Sequence, residues 1–343
     1  MKRSLFFIII SICSCSSILF TYRLYGQQTS EHFIVETKSL EADTVITSAI
    51  YFGERILCLQ ANHQFFVLDT LLNKDSTLTA KFSNIKADFL QSLNDTIFIS
   101  TGNGLYFLDK YFTLQHYNQQ PFTYGLPYYN DTTYYVHACS AGEFGAAVFF
   151  RYRKTNTTYA YPTIGVEQVL KFEDTYVVSN VMYRGLSNYL FIKDPSKLHR
   201  LKNVMPHIHC EWFRPSDSTR NLESFDVADL SGIRYIYTDT APTKTLVTFI
   251  NKNKLYSIYC TDSTTMLSKF EDTAFITVDT LLHHELVFQR VKTHLVNDIA
   301  VTAYKATWAT SDNISTMKNY QNTGLIFIRN NKITFLKFQI PHI

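Results

Sequence analysis

The chain is short of charge, of helical periodicity and of every common linear catalytic signature. Charged residues make up 18% of the 343 residues and aromatics 15%, a balance that excludes a disordered chain and suits many half-buried strands. No stretch repeats its apolar residues at the 3.6-residue helical period. A GxSxG elbow, a P-loop, an HExxH pair and an EF-hand loop are all missing. Gly102-Asn103-Gly104 does not replace them, because a strand-like run follows it where a phosphate loop requires a helix. No CxxC pair is present, which removes zinc-ribbon and thioredoxin-like chemistry. Net charge is lacking as well. The formal +3 is carried by Lys2, Arg3 and Arg23 in the first 26 residues, which hold no acid. The neutral remainder has no overall electrostatic reason to bind nucleic acid or an anionic membrane.

What is there begins with a targeting signal. Lys2-Arg3, the apolar run Leu5 to Phe20 and the small or polar residues around Gly26-Gln27-Gln28 predict a secretory signal peptide over 1–26. Ile12-Cys13-Ser14-Cys15 offers a second reading, similar to a bacterial lipoprotein box with Cys15 as the acylated residue; a retained anchor is the third. All three place the body outside the cytoplasm, with membrane association only through this segment. The residues from 29 to 343 are expected to form one domain. Cys58, Cys139, Cys210 and Cys260 are widely spaced in it, each in or beside an apolar run. They read as core packing, with a disulfide as the alternative.

The domain is organised around NDTIFISTGNGLYFLD (94–109), a strand, a tight turn at Gly102-Asn103-Gly104 where positive φ is cheap, and a second strand. Looser copies follow at intervals of about 40 residues. ERILCLQA pairs with QFFVLD, where Leu68-Asp69 answers Leu108-Asp109, and TYYVHACS pairs with AAVFFRYR. Further pairs are TYVVSNVM with NYLFIKD, IRYIYTD with TLVTFIN, TAFITVD with ELVFQRV, and IAVTAYKAT with GLIFIRN. Shorter runs between them raise the total to about four strands per unit. This repeat predicts an all-β protein, a β-propeller of seven blades of four antiparallel strands, with six blades as the alternative. HFIVETK (32–38) and KITFLKF (332–338) are the strands expected to close the ring.

The 94–109 stretch resembles the repeat of two-component-regulator type propellers: a strand ending in Ser-Thr, a turn, then Gly-Leu and an aromatic residue. The WD dipeptide, kelch double glycines and tryptophan-docking repeats are missing. The resemblance implies an extracytoplasmic sensing or scaffold module.

Candidate sites follow from local chemistry. In His207-Ile208-His209-Cys210-Glu211-Trp212, an extended backbone puts His207, His209 and Glu211 on one face, a set that suits a divalent metal or an anionic ligand in the axial channel. No other cofactor is expected. Tyr124, Tyr128 and Tyr129, within Phe122 to Tyr135, form a possible stacking surface for a glycan or peptide; interblade packing is the competing reading. His283-His284-Glu285 reads as a solvated turn. The polar connection from Arg214 to Gly232 is longer than the others, as binding loops often are. Asp-Thr and Asp-Ser pairs recur, among them Asp69-Thr70, Asp75-Ser76, Asp131-Thr132 and Asp279-Thr280. They are similar to acceptor sites of some bacterial periplasmic O-glycosylation systems, and they are equally good turn chemistry before a strand. The functional expectation is an exported, non-catalytic binding or scaffold propeller for a protein or glycan. The rival is a hydrolase or lyase with its site at the channel mouth.

Overall fold

The computed structural model describes residues 33–93, 96–117, 127–140, 146–163, 165–181, 187–201, 233–236, 244–261, 264–283, 286–288, 293–306 and 322–340. These residues form six antiparallel sheets, the blades of a propeller. β1 (Ile34–Glu41) is set aside for the last blade. Blade 1 is β2 (Ile46–Phe52), β3 (Arg55–Gln60) and β4 (Phe65–Asp69), followed by the short helix α1 (Ser76–Lys81). Blade 2 is β5 (Ala87–Leu93), β6 (Thr96–Thr101), β7 (Gly104–Leu108) and β8 (Leu114–His116). Blade 3 holds β9 (Pro127–Asn130), β10 (Tyr134–Ser140), β11 (Ala146–Tyr152) and β12 (Thr158–Thr163).

Blade 4 starts with β13 (Val166–Phe172), β14 (Thr175–Val181) and β15 (Ser187–Ile192). The chain then leaves its own blade. β16 (His199–Arg200) adds a fifth strand to the outer edge of blade 3, and only afterwards does β17 (Ile233–Ile236) complete blade 4 beside β15. Blade 5 is β18 (Lys244–Asn251), β19 (Lys254–Cys260), β20 (Thr265–Glu271) and β21 (Ala274–Leu282). Blade 6 holds β22 (Val287–Phe288), β23 (His294–Val296), β24 (Ile299–Ala306), β25 (Asn322–Arg329) and β26 (Lys332–Gln339), with β1 hydrogen-bonded to β26 at its outer edge. The two strands expected to close the ring do so.

Each blade is buried on both faces, which is why the strands read as nearly continuous apolar runs. In β3 the alternation sends Ile56 and Cys58 to the seam with blade 6, where they meet Val301, Leu325 and Phe338. Leu57 and Leu59 of the same strand go to the seam with blade 2, beside Leu90, Ile97 and Ile99. One strand therefore serves two cores, the stacking logic of repeat folds. In blade 6, Gly324 faces Tyr304 across the β24–β25 pair; a Cβ there would sit 2.2 Å from the Tyr304 ring and 2.3 Å from the Leu336 carbonyl. Only glycine lets the ring lie across the sheet there.

Several expectations are corrected. The blade number is six, the alternative, because a unit takes more than about 40 residues. The length goes into α1, the β16 excursion and the residues between β16 and β17 (201–232) and between β24 and β25 (307–321). Two expected hairpins are not hairpins: Ile233–Ile236 of IRYIYTD lies in blade 4 and TLVTFIN in blade 5, while TAFITVD falls in blade 5 and Val287–Phe288 of ELVFQRV in blade 6. A crossover between adjacent blades has the length of a hairpin loop, so spacing does not separate the two. The β6–β7 turn is present, but its positive φ belongs to Gly104 (130°), not to Gly102 or Asn103. Paired left-handed residues occur instead at Gly53-Glu54, Lys252-Asn253 and Asn330-Asn331, the two-residue hairpin turns of blades 1, 5 and 6. α1 was not foreseen; Asp75 caps it by accepting the Leu78 N–H at 2.9 Å.

Candidate functional site

The innermost strands of a propeller surround its axis, and here they enclose a cavity of about 70 Å³. Ser48 and Ile50 come from β2, Leu90, Gln91 and Ser92 from β5, Tyr128 from β9, Glu167 and Gln168 from β13, and Thr293 and His294 from the start of β23. The wall is polar, although the blades behind it are apolar. Gln168 is not available to a ligand: its Nε2 donates to the Thr248 carbonyl at 2.5 Å and its Oε1 accepts the Thr248 N–H at 2.9 Å. It ties β13 to β18 as a backbone peptide would.

His294 is 9% exposed, and its Nδ1 accepts the Tyr51 N–H at 3.1 Å. A backbone N–H only donates, so the ring proton sits on Nε2, the edge left for the cavity. Burial lowers its pKa to about 4, and protonating Nδ1 would also break the bond to Tyr51. At neutral pH His294 is a hydrogen-bond donor and not a base. Among the described residues of the lining, Ser48 and Ser92 consequently have no imidazole base, and Glu167 is the single carboxylate. A cavity of this size holds on the order of five waters. It lies well below the several hundred Å³ of typical small-molecule sites.

The tyrosines named from the sequence divide. Tyr128 lines the axial cavity. Tyr129 packs edge-on against Tyr176 in the seam between blades 3 and 4, so the packing reading applies to it. Tyr124, His207, His209, Glu211 and Cys15 lie outside the described residues, as does the segment 1–26. His283 is exposed after β21. Among the described residues no group of three or more His, Cys, Asp and Glu is arranged to hold a metal.

Three of the Asp-Thr and Asp-Ser pairs, at Asp69, Asp75 and Asp131, are turn or cap chemistry, whereas Asp279-Thr280 lies inside β21. Asp69 Oδ1 accepts the N–H groups of Leu71 and Asn73, and Asp75 caps α1. Asp131 accepts the Thr133 and Tyr134 N–H groups at 2.7 Å and then reaches blade 4, where the Tyr176 hydroxyl (2.7 Å) and Lys171 Nζ (3.3 Å) donate to it. Burial works to raise the Asp131 pKa, but these donors outweigh it and hold the carboxyl below the usual range.

Two of the four cysteines behave as expected: Cys58 and Cys260 are free and buried. Cys139 does not. It is disulfide-bonded, and its partner lies outside the described residues. Its position explains the difference: it sits at the end of β10, only partly buried, beside Ala147, Phe149, Ala160 and Leu201.

No family model and no curated protein matches the sequence, so the two-component-regulator resemblance gains no support beyond the propeller it implies. Solved structures similar to the chain include the computationally designed Ika8 protein, at 9% identity and TM-score 0.38 over 88% of this chain and 89% of that one. Hsv2 of Kluyveromyces lactis follows at 10% and 0.37 over 82% and 90%. The WD40 domain of SCAP from fission yeast matches at 8% and 0.30 over 84% and 74%. At such scores nothing is carried over from them to this chain.

Proposed function

We propose that the chain is an exported, non-catalytic binding or scaffold propeller that recognises a protein or glycan through one face of the ring. The observation that carries this reading is the axial cavity: it is small, and among its described lining residues the one imidazole, His294, is locked as a donor by Tyr51. Recognition then falls to the loops and turns of a face, which a ring closed by β1 and β26 holds rigidly. Export rests on the signal-like residues 1–26, and the Cys139 disulfide supports it, because such bonds persist in oxidising compartments. His207, His209 and Glu211 remain the proposed metal ligands. Equal zinc content in wild type and His207→Ala/His209→Ala would remove that assignment.

The rival enzyme reading has Glu167 in its favour, as a carboxylate facing the axial cavity. Both readings meet in one experiment. Purified protein is assayed on chromogenic ester, glycoside and phosphate substrates and, in parallel, on a glycan array. Array binding without turnover is the expected result; turnover that disappears in Glu167→Gln would establish the enzyme instead.

A further inference from the structure

Blades 1 and 2 end their third strands in the same turn. In Asp69-Thr70-Leu71-Leu72-Asn73 the carboxylate accepts the N–H groups of Leu71 (2.9 Å) and Asn73 (2.8 Å). In Asp109-Lys110-Tyr111-Phe112-Thr113 it accepts those of Tyr111 and Thr113, both at 2.9 Å. The fourth residue takes a left-handed conformation in each, Leu72 at 66° and Phe112 at 58°, and packs inward. The third residue is thereby turned outward: Leu71 is 68% and Tyr111 70% exposed, the two most exposed large apolar side chains of the described residues.

A lysine completes each turn, and the two lysines come from unrelated elements. Lys38 of β1 donates to the Leu71 carbonyl and Lys81 of α1 to the Tyr111 carbonyl, both at 3.1 Å. Lys110 lies 5.0 Å over the Tyr111 ring. Lys38 and Lys81 each spend one of three protons on the turn, and Lys38 also lies 3.8 Å from Glu36. Of the nearby carboxylates, Asp75 is paired with Arg55 at 2.8 Å and Glu36 with Lys332 at 2.7 Å; Asp69 and Asp109 accept backbone N–H groups and keep their charge, the Asp109 pKa being lowered by the Thr113 N–H and, to a lesser degree, by Lys81.

We propose that this face, led by Leu71 and Tyr111 with Lys38, Lys81 and Lys110 behind them, docks on an anionic phospholipid surface. A tyrosine and a leucine on rigid tips, with ammonium groups at the level of their own carbonyls, match the layering of a membrane interface. There the apolar tips enter the acyl boundary and the cations meet phosphate. The chain's neutral overall balance does not oppose this, since only charges within a Debye length of the surface act on it.

The inference stands apart from the proposed function, and vesicle sedimentation tests it without knowledge of any ligand. The propeller is complete from Ile34 to Gln339, so the chain without its first 26 residues is used. It is expected to sediment with vesicles containing phosphatidylglycerol and not with phosphatidylcholine alone, and to be released by salt. Leu71→Ser/Tyr111→Ser is expected to weaken binding roughly tenfold or more. Lys38→Gln/Lys81→Gln/Lys110→Gln is expected to weaken it about 100-fold, with the melting temperature of both variants near that of the wild type. Failure of the wild type to sediment with anionic vesicles, or equal sedimentation of wild type and both variants, overturns the proposal.

Discussion

The seam between blades 1 and 2 and the seam between blades 4 and 5 do the same structural task with different chemistry. The first is apolar in its body, where Ile50, Leu57, Leu59, Phe65, Val67 and Phe82 meet Ala87, Leu90, Ile97, Ile99 and Leu108, with polar ties at its edge, as between His63 and Ala87. The second has an apolar part, with Phe191 stacked on Phe270 and Tyr189 against Phe275. It also has an inner layer of hydrogen bonds. Besides the Gln168 clamp, Ser179 Oγ meets Thr248 Oγ1 at 3.0 Å, the Tyr189 hydroxyl meets Thr245 Oγ1 at 2.9 Å and Ser257 Oγ at 2.5 Å, and the Thr245 N–H donates to Ser187 Oγ at 2.8 Å. Apolar seams tolerate sliding between similar packings. A directional network allows one register, and its groups become costly only when a partner is removed. The closing seam between blades 6 and 1 is a third kind, apolar around Phe66, Phe327 and Phe338 but carrying the one imidazole of His294.

The largest effect is expected in the apolar seam. Leu57→Ala removes a fully buried side chain and should destabilise by about 4 kcal/mol, read as a lower urea midpoint with unchanged slope. Next comes the closing seam under acid. His294 titrates near pH 4 when folded and near 6.5 when unfolded. Between those values only the unfolded chain binds the proton, so stability is full above about pH 6.5 and falls as pH drops towards 4, by about 3 kcal/mol. Melting temperatures from pH 7 to 4.5 should show this fall, flattened in His294→Ala though not abolished, because burial lowers His137 to about 4 as well. A pH response unchanged in His294→Ala would break the distinction between the closing seam and the others.

In the polar seam, Gln168→Ala strands the buried N–H and carbonyl of Thr248 and should cost about 2 kcal/mol by chemical denaturation. The smallest effect is Tyr189→Phe, about 1 kcal/mol, since the ring stays packed on Phe275 and Thr245 and Ser257 lose one shared hydroxyl. Should Tyr189→Phe prove more harmful than Leu57→Ala, the ranking of the two seams would be reversed.

Much of the ring was legible. The alternation of Ile56 and Cys58 with Leu57 and Leu59 announced a strand buried on both sides, and the terminal runs that close blade 6 were recognisable as unpaired apolar edges. The matched Leu68-Asp69 and Leu108-Asp109 marked turns that are the same in space. Blade membership was not legible at β17, β18, β21 and β22, because an apolar run followed by a polar gap looks alike within a blade and between blades. The axial site was hidden for a similar reason. Ser48, Gln91, Glu167 and His294 come from four separate stretches of the chain, and nothing local marks them as neighbours.

The sequence by itself determined the strands, their burial on two faces and the capped turns, because each depends on residues within a few positions of one another. Asp69 needs only Leu71 and Asn73, and β3 needs only its own alternation. The tertiary structure alone decided the number of blades, the strand lent by blade 4 to blade 3, and the partners of Gln168 and His294. Those outcomes rest on contacts such as Gln168 with Thr248, 80 residues apart, and His294 with Tyr51, 243 residues apart. The first forms only once blades 4 and 5 pack together and the second only once the ring has closed, when burial makes a polar group without a partner too costly to leave.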